Sequence, residues 1–190
     1  MADFAAVLLA GGGARRLGGA DKVMLPVRGR TLLDRTIDAV AGANPVVVVG
    51  PERPTATAVL WTAEEPAGGG PLAAVEAGLR RIEDTDGLVA VLAADHPNLT
   101  PDTLARLSAA LTDQPTAGGA VLADPGGRAQ WLIGLWRVRA LRDSMPSEVR
   151  NRPVRALFAP LGPVRVPATT PEVSDVDTPG DLREARTPDF

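Results

Sequence analysis

The sequence predicts an α/β fold, in which a mostly parallel sheet has helices on both faces and an antiparallel hairpin is added to it. Apolar runs such as Phe4–Leu9 show neither alternation nor helical spacing, which is typical of strands buried on both faces. These runs alternate with helical patterns as far as residue 111, as in doubly wound sheets. After residue 118, two apolar runs flank a turn sequence instead, which indicates a hairpin.

Local signals place the elements of the first 111 residues. Thr31 is suited to cap a helix, with Asp34 in place of the usual glutamate of a capping box, and Gly42 and Pro45 then end that helix. Pro71 suits the first turn of the next helix. The predicted strands are 4–9, 45–49, 57–62 and 87–93, the predicted helices are 32–41, 71–82 and 101–111, and 23–27 is a short apolar link.

The remaining residues continue the same fold. The hairpin strands are predicted at 119–123 and 130–136, and Asp124-Pro125-Gly126-Gly127 joins them. Short helices at 138–145 and 153–158, a brief strand at 164–166 and a terminal helix at 179–185 follow. Because no repeat, low-complexity tract or linker interrupts the chain, we expect one domain over residues 1–190, a Rossmann-like three-layer sandwich.

Composition argues against several classes of protein. A net charge of −3 and a pI of about 5.2 disfavour a broad nucleic-acid surface. Without cysteine there is no disulfide, thiolate metal site or cysteine nucleophile, which is compatible with a reducing cytosol. No apolar run approaches the roughly 20 residues of a membrane span, and the N-terminus lacks the basic stretch of a secretory signal. We therefore expect a cytoplasmic protein with no nucleic-acid or membrane partner.

A glycine-rich, basic loop follows the first strand directly. Its glycines let backbone N–H groups approach a ligand closely, and its cations add positive charge. Exposed N–H groups beside fixed cations suit an oligophosphate. The residues concerned are Gly11, Gly12, Gly13, Arg15, Arg16, Gly18, Gly19 and Lys22.

Two common phosphate loops fit this segment poorly. A dinucleotide-binding loop needs a third glycine where Arg16 stands. A Walker-type loop needs a lysine where Gly19 stands. A plain turn accounts for some of the glycines but not for the cations beside them.

Residues 9–22 resemble instead the signature loop of nucleotidyltransferases that take a nucleoside triphosphate and release pyrophosphate, Leu-Ala-Gly-Gly-x-Ser-x-Arg-Met-Gly-x-x-Lys. Its Ala-Gly-Gly form is similar to the loop of the molybdenum cofactor guanylyltransferases, although Ala14 and Leu17 replace the usual serine and methionine. The resemblance implies that Arg16 and Lys22 hold the triphosphate and are catalytic. It also implies that the nucleotide contacts Leu9, Ala10, Gly11, Gly12 and Gly13.

Asp95 follows the strand predicted at 87–93, where α/β sheets place ligand-binding groups. Its carboxylate is suited to hold Mg²⁺ against phosphate oxygens, or alternatively to cap the next helix. The resemblance favours the metal, because the family has an Asp-x-Pro metal site at this strand end, and Asp95-His96-Pro97 matches it. The resemblance thus implies that Asp95 is a catalytic, nucleotide-binding metal ligand, whereas His96 is interpreted as a loop residue.

Two further stretches resemble the same family. Residues 65–74 are similar to its Asp-x-x-x-Gly-Gly-Pro-Leu-Ala-Gly stretch, which borders the base and ribose. Residues 175–182 are similar to its Asn-x-Asn-Thr-Pro-Glu-Asp/Glu-Leu motif, with aspartates in place of both asparagines. Asp175 is then a second metal contact, or this segment merely starts the last helix. The substrate-binding residues implied by the first stretch are Glu65 (or Glu64, if the alignment slips), Gly70, Pro71 and Leu72.

The resemblance implies an enzyme that uses Mg²⁺ and transfers GMP from GTP to the phosphate of molybdopterin, releasing pyrophosphate. Because that phosphate is already anionic, positioning and charge neutralisation should matter more than a strong base. Residues 130–137 resemble, more weakly, a strand facing the acceptor, and transient contact with cofactor-synthesis proteins or apo-molybdoenzymes fits this role. Asp175 and Asp177 keep open a cytidylyltransferase for the same cofactor or a phospholactate guanylyltransferase. A catalytically silent nucleotide-binding regulator is a further alternative, which Arg16, Lys22 and Asp95 together disfavour.

Overall fold

A computed structural model describes residues 4–11, 20–83 and 86–187. In this part of the chain, a seven-stranded sheet and a separate two-stranded hairpin are present, and no helix is long and apolar enough to cross a bilayer. The strands are β1 (Phe4–Leu9), β2 (Pro26–Val27), β3 (Arg30–Thr31), β4 (Val46–Val49), β5 (Leu60–Thr62), β6 (Leu88–Ala93), β7 (Gly119–Ala123), β8 (Ala129–Arg137) and β9 (Val164–Pro167). The α-helices are α1 (Leu32–Ala39), α2 (Pro71–Leu79), α3 (Pro101–Asp113), α4 (Val138–Asp143), α5 (Arg155–Phe158), α6 (Thr170–Val173) and α7 (Pro179–Arg186).

The large sheet has the strand order β5-β4-β1-β6-β8-β7-β9. Neighbouring strands are parallel except where β8 is involved, since β8 runs antiparallel to both β6 and β7. The hairpin formed by β7 and β8 therefore reverses a single strand, and β9 again runs parallel to β7. The predicted α/β fold, a mostly parallel sheet with an antiparallel hairpin, is confirmed.

Helices cover the sheet on both faces, because successive side chains of each strand point to opposite sides. On one face, Ala6 and Leu8 of β1 belong to a buried cluster shared with α1 and α3. On the other face, Ala5 and Val7 belong to a cluster shared with α2, α4 and α5. A continuous apolar strand such as β1 thus stabilises two cores at once, which gives the predicted three-layer arrangement.

Several predicted boundaries follow from local chemistry. The Thr31 side chain accepts a hydrogen bond from Asp34 N and caps α1, and Pro71 occupies the first turn of α2. The strand predicted at 57–62 is shorter, Leu60–Thr62, because Thr55 Oγ1 donates to Thr57 O and fixes a separate turn.

The predicted apolar link at 23–27 contains structure that the hydrophobic pattern does not reveal. Residues Lys22–Met24 form one 3-10 turn, and β2 pairs with β3 in a short hairpin beside the main sheet. Val27 is fully buried in a small cluster with Leu32, Val176 and Ala185. This cluster joins the hairpin to α7, and so brings the C-terminal segment to the edge of the sheet.

Candidate active site

A cavity of about 650 Å³ lies at the carboxyl edge of the parallel strands. That edge is the place where open α/β sheets bind ligands. The volume falls within the roughly 300–1,000 Å³ that is usual for small-molecule sites. The lining includes Leu9, Gly11, Gly50, Pro51, Glu64, Gly68, Gly70, Pro71, Ala93, Asp95 and Leu132.

Gly50 allows the ends of β1 and β4 to meet beneath this cavity. Ala10 N donates to Val49 O at 2.9 Å, which holds the two chain segments together beyond their paired residues. Gly50 has φ +148°, and a Cβ there would lie 3.0 Å from the carbonyl carbon and oxygen of Ala10. A larger residue would push the floor of the cavity apart at this point.

Lys22 lies between two carboxylates beside the cavity. Its Nζ lies 2.7 Å from Asp95 Oδ2 and 2.5 Å from Asp177 Oδ1. The Lys22 side chain is only 17% exposed. Burial by itself lowers the pKa of Lys22, but the hydrogen bonds and charges of Asp177 and Asp95 outweigh it and raise the pKa above its ordinary 10.5. Lys22 is therefore a protonated ammonium group at neutral pH.

Asp95 is held at the end of β6 and is not a helix cap. Thr100 caps α3 through a capping box with Thr103, so the helix-capping alternative for Asp95 is wrong. The backbone carbonyl of Asp95 accepts a hydrogen bond from Val176 N at 3.1 Å. Asp95 Oδ1 is buried without a hydrogen-bond partner among residues 4–11, 20–83 and 86–187, and His96 Nε2 lies 3.7 Å from it. A buried carboxylate oxygen that accepts no hydrogen bond keeps its lone pairs available to bind a cation.

Two further carboxylates complete an acidic cluster with Asp95. One oxygen from each of Asp95, Asp175 and Asp177 lies within 4.8 Å of the others. Val176, which lies between Asp175 and Asp177, is 1% exposed and packs into the apolar cluster with Val27, Leu32 and Ala185. This packing fixes the positions of the two aspartates. Carboxylate oxygens are the donors that hard cations such as Mg²⁺ prefer, so the set fits a divalent cation.

Asp181 fixes the backbone that carries Asp177. Its Oδ2 accepts hydrogen bonds from Asp177 N at 2.9 Å and Thr178 N at 2.7 Å, at the start of α7. These backbone hydrogen bonds hold the pKa of Asp181 below its ordinary value. Asp177 is the site residue that the sequence prediction did not assign, although it stands in the motif that suggested Asp175.

The other predicted site residues divide into three groups. Leu9, Gly11, Gly70 and Pro71 line the cavity. Ala10 and Leu72 are buried in the cores, with exposures of 1% and 0%, so their side chains face neighbouring protein atoms. Gly12, Gly13 and Arg16 lie outside the described residues.

Glu64, and not Glu65, lines the cavity. Glu64 Oε2 accepts a hydrogen bond from Gly69 N at 2.5 Å, and its Oε1 would lie 3.9 Å from a Cβ added at Gly11. Glu65 instead lines a separate depression with Glu76 and Arg80. The sequence prediction preferred Glu65 over Glu64, but it is Glu64 that lines the same cavity as Gly11 and Asp95.

Comparison with known proteins extends these observations. A family model described as the MobA-like NTP transferase domain matches residues 6–164. A molybdenum cofactor guanylyltransferase of Bradyrhizobium sp. (strain ORS 278) is 39% identical over 146 residues, 72% of this chain and 68% of that protein. A second molybdenum cofactor guanylyltransferase, from Mesorhizobium japonicum, is 33% identical over 79% of this chain and 76% of its own length.

Solved structures share the fold at lower identity. Molybdopterin-guanine dinucleotide biosynthesis protein A from Archaeoglobus fulgidus has a TM-score of 0.70 and 19% identity, over 95% of this chain and 96% of that one. 2-C-methyl-D-erythritol 4-phosphate cytidylyltransferase from Thermus thermophilus has a TM-score of 0.70 and 22% identity, over the same shares.

Proposed function

We propose that this chain, which belongs to the MobA-like NTP transferase family, transfers GMP from GTP to the phosphate of molybdopterin and releases pyrophosphate. The observation that carries the proposal is the meeting of Lys22, Asp95 and Asp177 at the wall of a nucleotide-sized cavity. The relatives named molybdenum cofactor guanylyltransferase support the choice of nucleotide and acceptor. The whole chain, residues 1–190, would act as one nucleotidyltransferase domain in the cytoplasm.

In the proposed reaction, an oxygen of the molybdopterin phosphate attacks the α-phosphorus of GTP. The bond from the α-phosphorus to the bridging oxygen of the β-phosphate breaks, and pyrophosphate leaves with the electron pair. The nucleophile is already an anion, so the chain needs to align the reactants and neutralise charge rather than remove a proton. Loop amides around Gly11, together with Arg16 and Lys22, would bind the triphosphate.

Mg²⁺ is the cofactor that we propose for the acidic cluster. Asp95 would hold it, with Asp175 and Asp177 as the neighbouring oxygen donors. When bound, such an ion neutralises charge on phosphate oxygens and orients them. The observation that favours a cation here is that Asp95 Oδ1 is buried and has no hydrogen-bond partner in the described part of the chain.

Glu64 and the glycine corner at Gly70 would border the base and ribose. The Glu64 carboxylate is fixed by Gly69 N and lies in the wall of the cavity. A site with such fixed polar groups discriminates strongly, because a wrong base leaves them unpaired. The relatives named molybdenum cofactor guanylyltransferase favour guanine, so we propose GTP as the good substrate and CTP as the poor one.

The test is transfer to molybdopterin with Mg²⁺, comparing four α-labelled nucleoside triphosphates. We expect incorporation of the label and release of pyrophosphate with GTP, and a much lower kcat/KM with CTP. Comparable values for the two would favour the cytidylyltransferase alternative. Efficient transfer to phospholactate but not to molybdopterin would favour the phospholactate guanylyltransferase alternative. Nucleotide binding without pyrophosphate release, for all four triphosphates and both acceptors, would favour the silent regulator.

A further inference from the structure

We propose that Lys22 acts as an internal cation, which occupies the metal position of the acidic cluster until a triphosphate draws it away. Free divalent cation and the Lys22 ammonium group would then exclude each other. The part of this inference that concerns the triphosphate rests on the proposed function. The exclusion itself concerns only Lys22, Asp95 and Asp177, and can be measured without any nucleotide.

Distances carry the first step of the argument. Lys22 Nζ contacts Asp95 Oδ2 at 2.7 Å and Asp177 Oδ1 at 2.5 Å. A divalent cation bridging oxygens of two carboxylates would lie about 2.0–2.6 Å from each. The ammonium nitrogen therefore occupies nearly the same point as a cation that bridged this pair of oxygens. Both cannot be there together.

Charge gives the second step. Lys22 carries one positive charge and contacts two carboxylates, and a third, Asp175, offers an oxygen within 4.8 Å of oxygens of those two. A free cation entering this cluster must break two charge-assisted hydrogen bonds and leave a partly buried ammonium group without its partners. The site is therefore stable without metal, and its affinity for a free divalent cation is reduced.

The identity of the residue gives the third step. Lys22 is the only lysine among the 20 basic residues of the sequence. Lysine is a compact point charge on a flexible stem, whereas arginine is a planar fork suited to one fixed geometry. The backbone at Lys22 is held in a 3-10 turn, because Met24 N donates to Asp21 O at 3.0 Å and Leu25 N donates to Lys22 O at 3.1 Å. A pivoting side chain on a fixed backbone is suited to move between carboxylates and phosphates.

A coupling between ligands follows. The anionic triphosphate attracts the ammonium group out of the cluster, and the carboxylates that it leaves then accept the divalent cation. Each ligand thereby favours the other, and by linkage the coupling is the same in both directions. The chain would bind the metal productively only together with its nucleotide.

The deciding experiment measures Mn²⁺ binding to the protein alone by the electron paramagnetic resonance signal of free Mn²⁺. The Lys22→Met variant removes the ammonium group and keeps an apolar side chain of similar length. We expect it to bind Mn²⁺ about tenfold or more tightly than the unaltered chain, since the carboxylates lose their internal counter-ion. Equal or weaker binding by Lys22→Met would overturn the inference.

A matched control removes a cation elsewhere. Arg30→Met breaks the exposed ion pair of Arg30 with Asp38, at 3.0 Å, and changes the net charge by the same amount. Its Mn²⁺ affinity should stay within about twofold of the unaltered chain. A gain as large as that of Lys22→Met would show that only overall charge matters, and would also overturn the inference.

A second measurement needs no variant and so does not depend on how Lys22→Met folds. Because the sequence has one lysine, labelling lysine with ¹³C and ¹⁵N gives a single side-chain Cε/Nζ signal. We expect α,β-methylene GTP to shift this signal, and Mg²⁺ to shift it only at concentrations that saturate the cluster. Saturation with Mg²⁺ without any change of the signal would refute the exclusion. Neither measurement uses the acceptor or turnover, so a failure of the proposed transfer reaction would leave their outcome intact.

Discussion

The charge of Asp95 is tested by Asp95→Asn, which keeps the shape of the side chain. The substitution should lower the free energy of unfolding only slightly. Lys22 keeps its 2.5 Å contact with Asp177, and the Asp95 and Lys22 side chains are 26% and 17% exposed, so their pairing is partly screened. We expect a loss of about 1 kcal/mol, which is about 2–4 °C in Tm for a chain of this size.

The effect of Asp95→Asn on activity should be much larger. An amide oxygen is a weaker ligand than a carboxylate for a hard cation, and none of the described residues donates a hydrogen bond to the buried Oδ1 that could compensate. Removal of one preorganised hydrogen-bond donor from an oxyanion hole costs about 2.7–4 kcal/mol, or about 100- to 1,000-fold in kcat, and we expect a loss of similar size here. The affinity for GTP measured without metal should not fall by more than about threefold, because Lys22 is still present and loses one competing carboxylate.

The assay measures label transfer from GTP at saturating Mg²⁺, together with GTP binding in the presence of a chelator. Asp102→Asn is the matched control, since Asp102 is an exposed aspartate in the first turn of α3. Transfer by Asp95→Asn within about threefold of the unaltered chain would refute the metal-ligand role. A fall in Tm of more than about 10 °C would instead assign Asp95 a structural role.

Three further outcomes are expected. Burial lowers the pKa of Lys22, but its carboxylate partners outweigh burial and raise the pKa above 10.5. The ion pairs of Lys22 therefore stabilise the folded state fully below pH 10.5, and this stabilisation is lost as the pH rises through the raised pKa. Melting curves between neutral pH and about pH 11 should therefore decline less in Lys22→Met than in the unaltered chain, and equal declines would contradict this. Gly78→Ala would bring a Cβ within 2.4 Å of Val7 Cγ1, so a net loss of about 1–2 kcal/mol is expected in urea unfolding, and unchanged stability would argue against this contact. Glu64→Gln should raise the Kd for GTP at least about tenfold if the carboxylate binds the nucleotide, whereas Glu65→Gln should not; the opposite result would restore Glu65 to the site.

Helix starts could be predicted from the sequence where a single residue satisfies the requirements of the first turn. Thr31 caps α1 and Pro71 begins α2, because each residue satisfies a requirement of the helix start that depends only on its close neighbours. The β2–β3 hairpin was missed because its local signals are weak. Its turn places Arg28 at φ +50°, a conformation that arginine rarely adopts, and the two strands are two residues long.

The site could be predicted only in part. Asp95 was found because the end of a buried parallel strand is a general place for ligand groups. Which of Glu64 and Glu65 faces the cavity depends on the contact with Gly69 N, which neither periodicity nor a motif with a variable spacer resolves. The pairing of Lys22 with Asp177 joins residues 155 positions apart. It exists because α7 packs against β2, and no local pattern encodes that packing.

The late position of Asp177 in the chain has a consequence in time. Chains leave the ribosome N-terminus first, and each domain then folds as a unit. The strands that end at the cavity, β1, β4, β5 and β6, are complete by residue 93, long before Val176 can pack against Val27 and Leu32. A nascent chain of that length therefore contains Lys22 and Asp95 but not yet Asp177, the second carboxylate that Lys22 contacts. The arrangement of Lys22, Asp95 and Asp177 can form only after residues 176–185 have been synthesised, so it is a late step in the folding of this domain.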